Sequence, residues 1–376
     1  MKKTSSRLVL SLLCVVLLAV MAACSGNSKK EASPSATPSA GGSSSAGADN
    51  PYGIDWEARK AANKEAGKIK FITSFNYAAS APSVNAVVAD ELGYFEELGL
   101  DVEVIPGLEA EGMKLLAAGQ VQFGGSGTAS TVIQSIVNDA EIKGLAVMSP
   151  VGLGALMVLE ESGIQEPKDL EGKTVGYKGA LPASFKAMFR NAGADIDKIN
   201  LVSVGFDPSI LVTTDVDAIT VFKSNEPNAM EKMGHKVRLI DPQDYGINSS
   251  FGVVVGNNKF VEKHPTAAED FLRALFKAQE YLKSNPDDTI KILEGRSETT
   301  YNVDTESNRL KVEMEIIESS KIEGHGIGWH TEQQWQDEIV TLVSMGSIKN
   351  ALAVDTVMNN TLISSIYDGD KLIWIE

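Results

Sequence analysis

From residue 69 to residue 240, short apolar runs alternate with stretches whose apolar side chains recur at helical spacing, and nothing else in the chain restricts its fold so strongly. A strand that returns to its sheet through a helix runs parallel to its predecessor, and such helices cover both faces. The first series reads as strand 69–74, helix 83–92 with Val84, Val87, Val88 and Leu92 on one face, strand 100–105, helix 111–118, strand 121–124, helix 129–138, and strands 142–148 and 155–159. The polar break Pro167-Lys168-Asp169-Leu170-Glu171-Gly172-Lys173 opens a second series: strand 174–177, helix 184–192, strands 201–204 and 218–222, helix 228–233 and strand 236–240. Residues 251–255 are again β-rich, Phe271, Leu275, Ala278 and Leu282 share one face of a helix over 265–282, and the remainder is helical. The pattern predicts an α/β fold with mixed, mostly parallel sheets and helices on both faces. It builds one lobe over 68–160, crosses to a second over 161–250 and returns over 251–376, a two-lobed clamp.

Ahead of these series, Lys2, Lys3 and Arg7 precede an apolar run, 8–21, that is short for a membrane span and suited to a signal segment. It closes on Met21-Ala22-Ala23-Cys24, which resembles a bacterial lipoprotein cleavage box. The resemblance implies that 1–23 is a signal peptide, and that Cys24, acylated with palmitate, anchors the chain to the extracytoplasmic face of the cell membrane. An ordinary secretory leader with an incidental cysteine is the alternative. Residues 25–50 are dominated by Ser, Ala, Gly and Pro and cannot offset their ordering entropy, so a flexible tether is expected, drawn over 24–67. A coil of about 26 residues would hold the folded part roughly 25–30 Å from the membrane.

The only cysteines are Cys14 and Cys24, so the folded part has no disulfide, thiolate nucleophile or thiolate metal site. The net charge is −16, and loss of Lys2, Lys3 and Arg7 with the leader takes it to −19, which disfavours nucleic acid and anionic lipid. His325 and His330 lie near Glu323 and Glu332, but no helical pair of metal ligands forms among them, His235 and His264. No metal and no cofactor are expected.

Four stretches carry a resemblance to a family. They are 87–102, with Gly93-Tyr94-Phe95 before Leu100-Asp101-Val102; 116–124; 167–176, with its Asp169-Leu170-Glu171-Gly172-Lys173 turn; and 216–222. Together they resemble the solute-binding proteins of ABC importers, in the subfamily that groups sulfonate and nitrate binders with thiamine-pyrimidine binders. The resemblance implies a type II periplasmic-binding-protein clamp, acting as a monomer, that captures a small molecule and delivers it to ABC permease and ATPase subunits. A fungal branch of the same fold makes the thiamine pyrimidine with its own active-site residues and a cysteine-rich motif. Without a cysteine in the folded part, and without a nucleophile elbow in Gly124-Gly125-Ser126-Gly127, this chain is expected not to be an enzyme.

In open α/β sheets, ligands bind beyond the carboxyl ends of strands, where loops feed helix starts. Five loops qualify. The first contains Phe75, Asn76 and Tyr77, where the resemblance implies an Asn and an aromatic against the ligand. The second offers Ser126, Thr128 and backbone N–H groups at a helix start. The third, Lys178 to Ser184, follows Tyr177; the fourth contains Phe222, Asn225 and Glu226; the fifth contains Tyr245. Glu226 discriminates most, since a carboxylate there opposes an anion but accepts hydrogen bonds from an amino group or ring N–H. Its alternative is a helix-start carboxylate stabilised by the dipole. Phe75, Tyr77, Phe222 and Tyr245 read either as stacking walls for a flat ring or as core. Lys178 reads as a solvated loop lysine, the alternative being a cation for an oxyanion. The expected solute is a small heteroaromatic vitamin or precursor, a thiamine pyrimidine or a riboflavin-like ring. The rivals are an alkanesulfonate, taurine or nitrate within the same fold, and a membrane-tethered sensor without a transport role.

Overall fold

The computed structural model describes residues 51–375; the expected leader 1–23, Cys24 and the segment 25–50 lie outside the described residues. Among the described residues Tyr367–Asp368 pairs with Lys371–Leu372 in a small hairpin, and ten further strands make two five-stranded sheets. They are β1 Lys68–Ile72, β2 Asp101–Ile105, β3 Phe123–Ser126, β4 Ile142–Ser149, β5 Gly154–Leu159, β6 Thr174–Tyr177, β7 Asn200–Ser203, β8 Ala218–Phe222, β9 Val237–Ile240 and β10 Phe251–Asn257. The first sheet has the order β2-β1-β3-β10-β4 and the second β7-β6-β8-β5-β9. Helices of seven or more residues are α1 Trp56–Glu65, α2 Ser83–Glu91, α3 Glu109–Ala117, α4 Ala129–Val137, α5 Ala183–Asn191, α6 Glu226–Lys232, α7 Pro265–Ser284, α8 Pro286–Arg296, α9 Val303–Ser319 and α10 Glu332–Ser344.

Each sheet is mixed, with one antiparallel member: β10 in the first and β5 in the second. Both are the first strand laid down after the chain changes sheet. A chain that leaves one sheet at the carboxyl ends of its parallel strands arrives at the same end of the other and must run back. Gly154 accordingly pairs with Phe222, the last residue of β8, and Phe251 with Ser149, the last residue of β4. The two crossovers therefore mark the carboxyl ends of the parallel strands in both sheets.

Two expectations are corrected. The strand over 155–159, assigned to the first lobe, belongs to the second sheet, which moves the crossing to residues 150–153. An apolar strand buried on both faces carries no mark of which sheet receives it. The tether, drawn to residue 67, is helical over α1: Asp55 accepts from the Ala58 N–H, Arg59 pairs with Glu269 and Asp270 on α7, and buried Asn63 donates to Asp270 and to the Leu98 carbonyl. These long-range bonds to α7, not composition, order the segment.

The helical face expected over 265–282 is the face buried. Phe271 stacks on Phe123 with ring centroids 4.1 Å apart and on Phe95 at 5.1 Å, sealing one side of the first sheet. The other side packs under α4 and α10 around Trp335. Both faces of the second sheet are likewise covered, by clusters around Phe185 and Phe189 and around Met230. The crossovers run side by side: a Cβ on Gly152 would come within 2.2 Å of Ser249 Oγ, and the serine hydroxyl would have to turn away to admit it. Each is pinned to the first lobe, Ser149 by Ser320 at 2.7 Å, and Ser250 by Glu338 of α10, which accepts from its N–H and Oγ at 2.8 and 2.6 Å.

Candidate functional site

The carboxyl ends of the parallel strands carry large apolar side chains that the fold leaves uncovered. Phe75 after β1 is 53% exposed, Leu108 after β2 50%, Phe222 at the end of β8 51%, and Phe206 after β7 77%. Such groups gathered at the same ends of both sheets mark a binding surface better than exposed side chains scattered singly. Phe75 is held outward by its turn. Asn76 adopts φ +47°, a left-handed conformation that asparagine tolerates, its N–H donates to the Gly107 carbonyl at 2.7 Å, and Phe75 bridges to Leu108. Tyr77 turns the other way: it packs on the first-lobe core, and its carbonyl accepts from the Tyr301 hydroxyl.

In the second lobe, Glu226 opens α6 and is 2% exposed. One carboxylate oxygen accepts from the Phe222 N–H at 2.9 Å and the other pairs with Lys178. Glu226 is thus a helix-start carboxylate, buried and paired. Lys178 is not solvated; with Glu226 as counter-charge its ammonium packs in, 5.5 Å over the Phe206 ring. Beside them, Asn225 Oδ1 accepts from Arg309 Nη2 at 3.4 Å.

The α4 start behaves differently from expectation. Ser126 is fully buried and its Oγ donates to Glu109 Oε1 at 2.6 Å, while the same oxygen takes the Gly127 N–H at 2.6 Å. Thr128 Oγ1 caps the Thr131 N–H and Ser250 Oγ takes the Ala129 N–H. The Gly127, Ala129 and Thr131 N–H groups of this turn already have partners. Tyr177 packs on the second-lobe core. Tyr245 does so too, with its carbonyl bonded to Asn191 at the far end of α5, so the structure does not bring it to Phe75, Phe222 and Glu226. His330 is buried and accepts from Trp335 Nε1 at 2.9 Å, and burial drops its pKa to about 4. His325 stacks on Trp329, and among the described residues no three His, Cys, Asp or Glu side chains form a metal-ligating group.

Sequence reasoning missed α9, which supplies a third side. Glu306 accepts from the Ala79 N–H at 2.8 Å and from Arg309 Nε at 3.0 Å. The Arg309 guanidinium lies 5.7 Å over the Phe75 ring. Glu313 accepts from Ser80 and Ala81 of the first lobe and from Ser224 of the second, and burial pushes its pKa up to about 7 against the pull of Arg309. The signal was present as Glu306, Arg309 and Glu313 at spacings of three and four with Leu310 and Ile317, charge laid on a buried helix face.

Comparison with known proteins follows the same outline. Over 213 residues the chain is 31% identical to the formylaminopyrimidine-binding protein of Halalkalibacterium halodurans, a match spanning 55% of this chain and 64% of that protein. It is 25% identical over 239 residues to a 4-amino-5-hydroxymethyl-2-methylpyrimidine phosphate synthase of Saccharomyces cerevisiae, covering 58% of this chain and 68% of the yeast protein. Among solved structures, the periplasmic aliphatic sulphonate binding protein of Escherichia coli aligns with a TM-score of 0.60 at 14% identity, over 82% of this chain and 94% of that one. The fold is that of type II periplasmic binding proteins, mixed α/β in two sheets. Residues 81–289, more than half of the sequence, match the model of the NMT1/THI5 like family, and the chain belongs to that family.

Proposed function

We propose that this protein is the solute-binding component of an ABC importer, held by a lipid on Cys24 at the extracytoplasmic face of the membrane, and that its cargo is a small amino-bearing heteroaromatic ring of the thiamine-pyrimidine class. One observation carries the reading. Phe75 and Phe222 stand half-exposed at the strand ends of opposite lobes, while the cations of these loops and of α9 beside Phe75 are already paired, Lys178 with Glu226, Lys223 with Asp241 and Arg309 with Glu306. Two phenyl faces suit a flat ring, and compensated charges suit a neutral one. Each Glu226 oxygen keeps a second lone pair for an amino group or ring N–H. An oxyanion such as taurine or nitrate would need donors that the α4 start has already spent on Glu109, Thr128 and Ser250. The pyrimidine named for the relative in Halalkalibacterium halodurans supports the same ring class. A captured solute held between lobes gives the permease a closed form to recognise, which is binding without chemistry.

Titration calorimetry of the folded part with 4-amino-5-hydroxymethyl-2-methylpyrimidine, its formylamino relative, riboflavin, taurine and nitrate tests the cargo. Saturable binding of a pyrimidine alone is the expected result; binding of taurine or nitrate without any ring compound would overturn it. Loss of the membrane-bound form on Cys24→Ser tests the anchor separately.

A further inference from the structure

Glu313 is buried, yet among the described residues no lysine, arginine or histidine forms an ion pair with it. Its Oε1 accepts from Ser80 Oγ at 3.1 Å and Ser224 Oγ at 3.0 Å, and its Oε2 from the Ala81 N–H at 3.1 Å. Ser80 and Ala81 end the loop that carries Phe75; Ser224 sits between Phe222 and Glu226. A buried carboxylate held only by neutral donors is expensive, and an apolar side chain in its place would be cheaper for stability alone. What an apolar side chain could not do is bind both loops at once.

We propose that Glu313 is a positioning residue for solute binding, its carboxylate tying the loop 74–81 of one lobe to the loop 222–226 of the other so that Phe75, Phe222 and Glu226 meet the solute in register. The rest of α9 acts in the same sense: Asn308 Nδ2 donates to the Ser224 carbonyl at 3.3 Å and Glu306 holds the Ala79 N–H. The carboxylate form is the one that serves. A proton on Oε2 meets the Ala81 N–H, which cannot accept, and a proton on Oε1 forces a serine hydroxyl to turn round. The charge that acts most on Glu313 is Arg309, one turn earlier on α9. Other charges on the surrounding elements are paired elsewhere, Glu306 with Arg309, Glu226 with Lys178, Lys223 with Asp241 and Arg296 of α8 with Asp90 and Glu91; α8 also carries Asp287, Asp288, Lys291 and Glu294.

The affinity part rests on the proposed cargo, whereas the loop-tying part does not, and the experiment separates them. Hydrogen exchange on the solute-free chain is compared for wild type, Glu313→Ala, Glu313→Gln and Ser224→Ala. Glu313→Ala is expected to speed exchange about tenfold in both loops together, and Ser224→Ala, which leaves the first-lobe bonds intact, in 222–226 alone. With 4-amino-5-hydroxymethyl-2-methylpyrimidine as probe, wild-type affinity falls as the pH drops below about 7, and Glu313→Gln, which mimics the neutral acid, shows a weak affinity without that step. Unchanged exchange in 222–226 of both Glu313→Ala and Ser224→Ala overturns the proposal, as does a pH step in Glu313→Gln equal to the wild type's. If wild type does not bind the probe, the cargo reading fails and the exchange result alone decides the role of Glu313.

Discussion

The starts of α4 and α6 occupy equivalent places in the two lobes, each after a parallel strand and each against a carboxylate, yet they handle that charge in opposite ways. At α4 the carboxylate is borrowed from α3: Glu109 fits onto the Ser126 hydroxyl and the Gly127 N–H with no cation at hand among the described residues. At α6 it is the helix's own first residue, Glu226, turned back on the Phe222 N–H and matched by the Lys178 ammonium. Amides are fixed in the backbone, but an ammonium on a four-carbon stem can swing aside. The α4 start is therefore closed, whereas at the α6 start the proposed function has Lys178 give way to an amino group of the solute.

The sharpest way to break this contrast is at the ion pair. Glu226→Ala leaves the Lys178 charge largely buried without its partner, and the expected cost is about 3–5 kcal/mol by urea unfolding. Replacing both, Glu226→Ala with Lys178→Met, should recover much of that stability without recovering solute affinity. If the double variant binds the pyrimidine as wild type does, Glu226 serves the helix and not the cargo.

Glu313 extends the comparison to a carboxylate with neither a helix start nor an ion pair, and pH reads it. Its folded pKa of about 7 lies above its ordinary 4.5, so the stability it contributes is complete below about 4.5 and is lost as the pH rises through about 7. Buried Glu338 shifts in the same direction, while His330, held at about 4, below its ordinary 6.5, contributes stability that is lost as the pH falls through about 4. The difference between Glu313→Gln and wild type cancels the other groups. It should move in favour of the variant by up to about 3 kcal/mol between about pH 5 and about pH 8. A pH-independent difference in urea unfolding would mean that burial does not hold the Glu313 carboxyl above its ordinary range.

Much of the fold was legible in the sequence and less of how the candidate site is assembled, for physical reasons that differ by residue. Period alone located α2 and α7 and their buried faces, because a helix needs only local spacing to declare itself. It could not say that Gly154–Leu159 crosses to the second sheet, since sheet membership is a long-range fact. Phe75 and Phe222 were legible as aromatics in polar loops at strand ends, and both are exposed there. Tyr245 sits in a loop of the same kind, but the chain turns along α5 before reaching it, and a loop's starting point does not fix its course. Lys178 and Glu226 stand forty-eight residues apart, and the charges of α9 gain their meaning only from its place against both loops, which helical spacing does not give.

The smallest effect tests the closed end of the comparison. Gly127 is exposed, so Glu109→Ala leaves its N–H to water and not to an apolar void, and the stability lost is that of a helix-start contact, about 1 kcal/mol. What changes more is selectivity. With Glu109 gone, the Gly127 N–H faces outward at the positive end of α4, a donor suited to a sulfonate oxygen, while the buried Ser126 hydroxyl keeps the Thr128 carbonyl as acceptor at 3.1 Å. Taurine should then raise the melting temperature of Glu109→Ala while leaving that of the wild type unmoved, and Glu109→Gln, whose amide oxygen can still accept both bonds, should resemble the wild type. Equal stabilisation of wild type and Glu109→Ala by taurine would mean that the α4 start is open after all, and that what excludes or admits an anion lies with Lys178 and Arg309 instead.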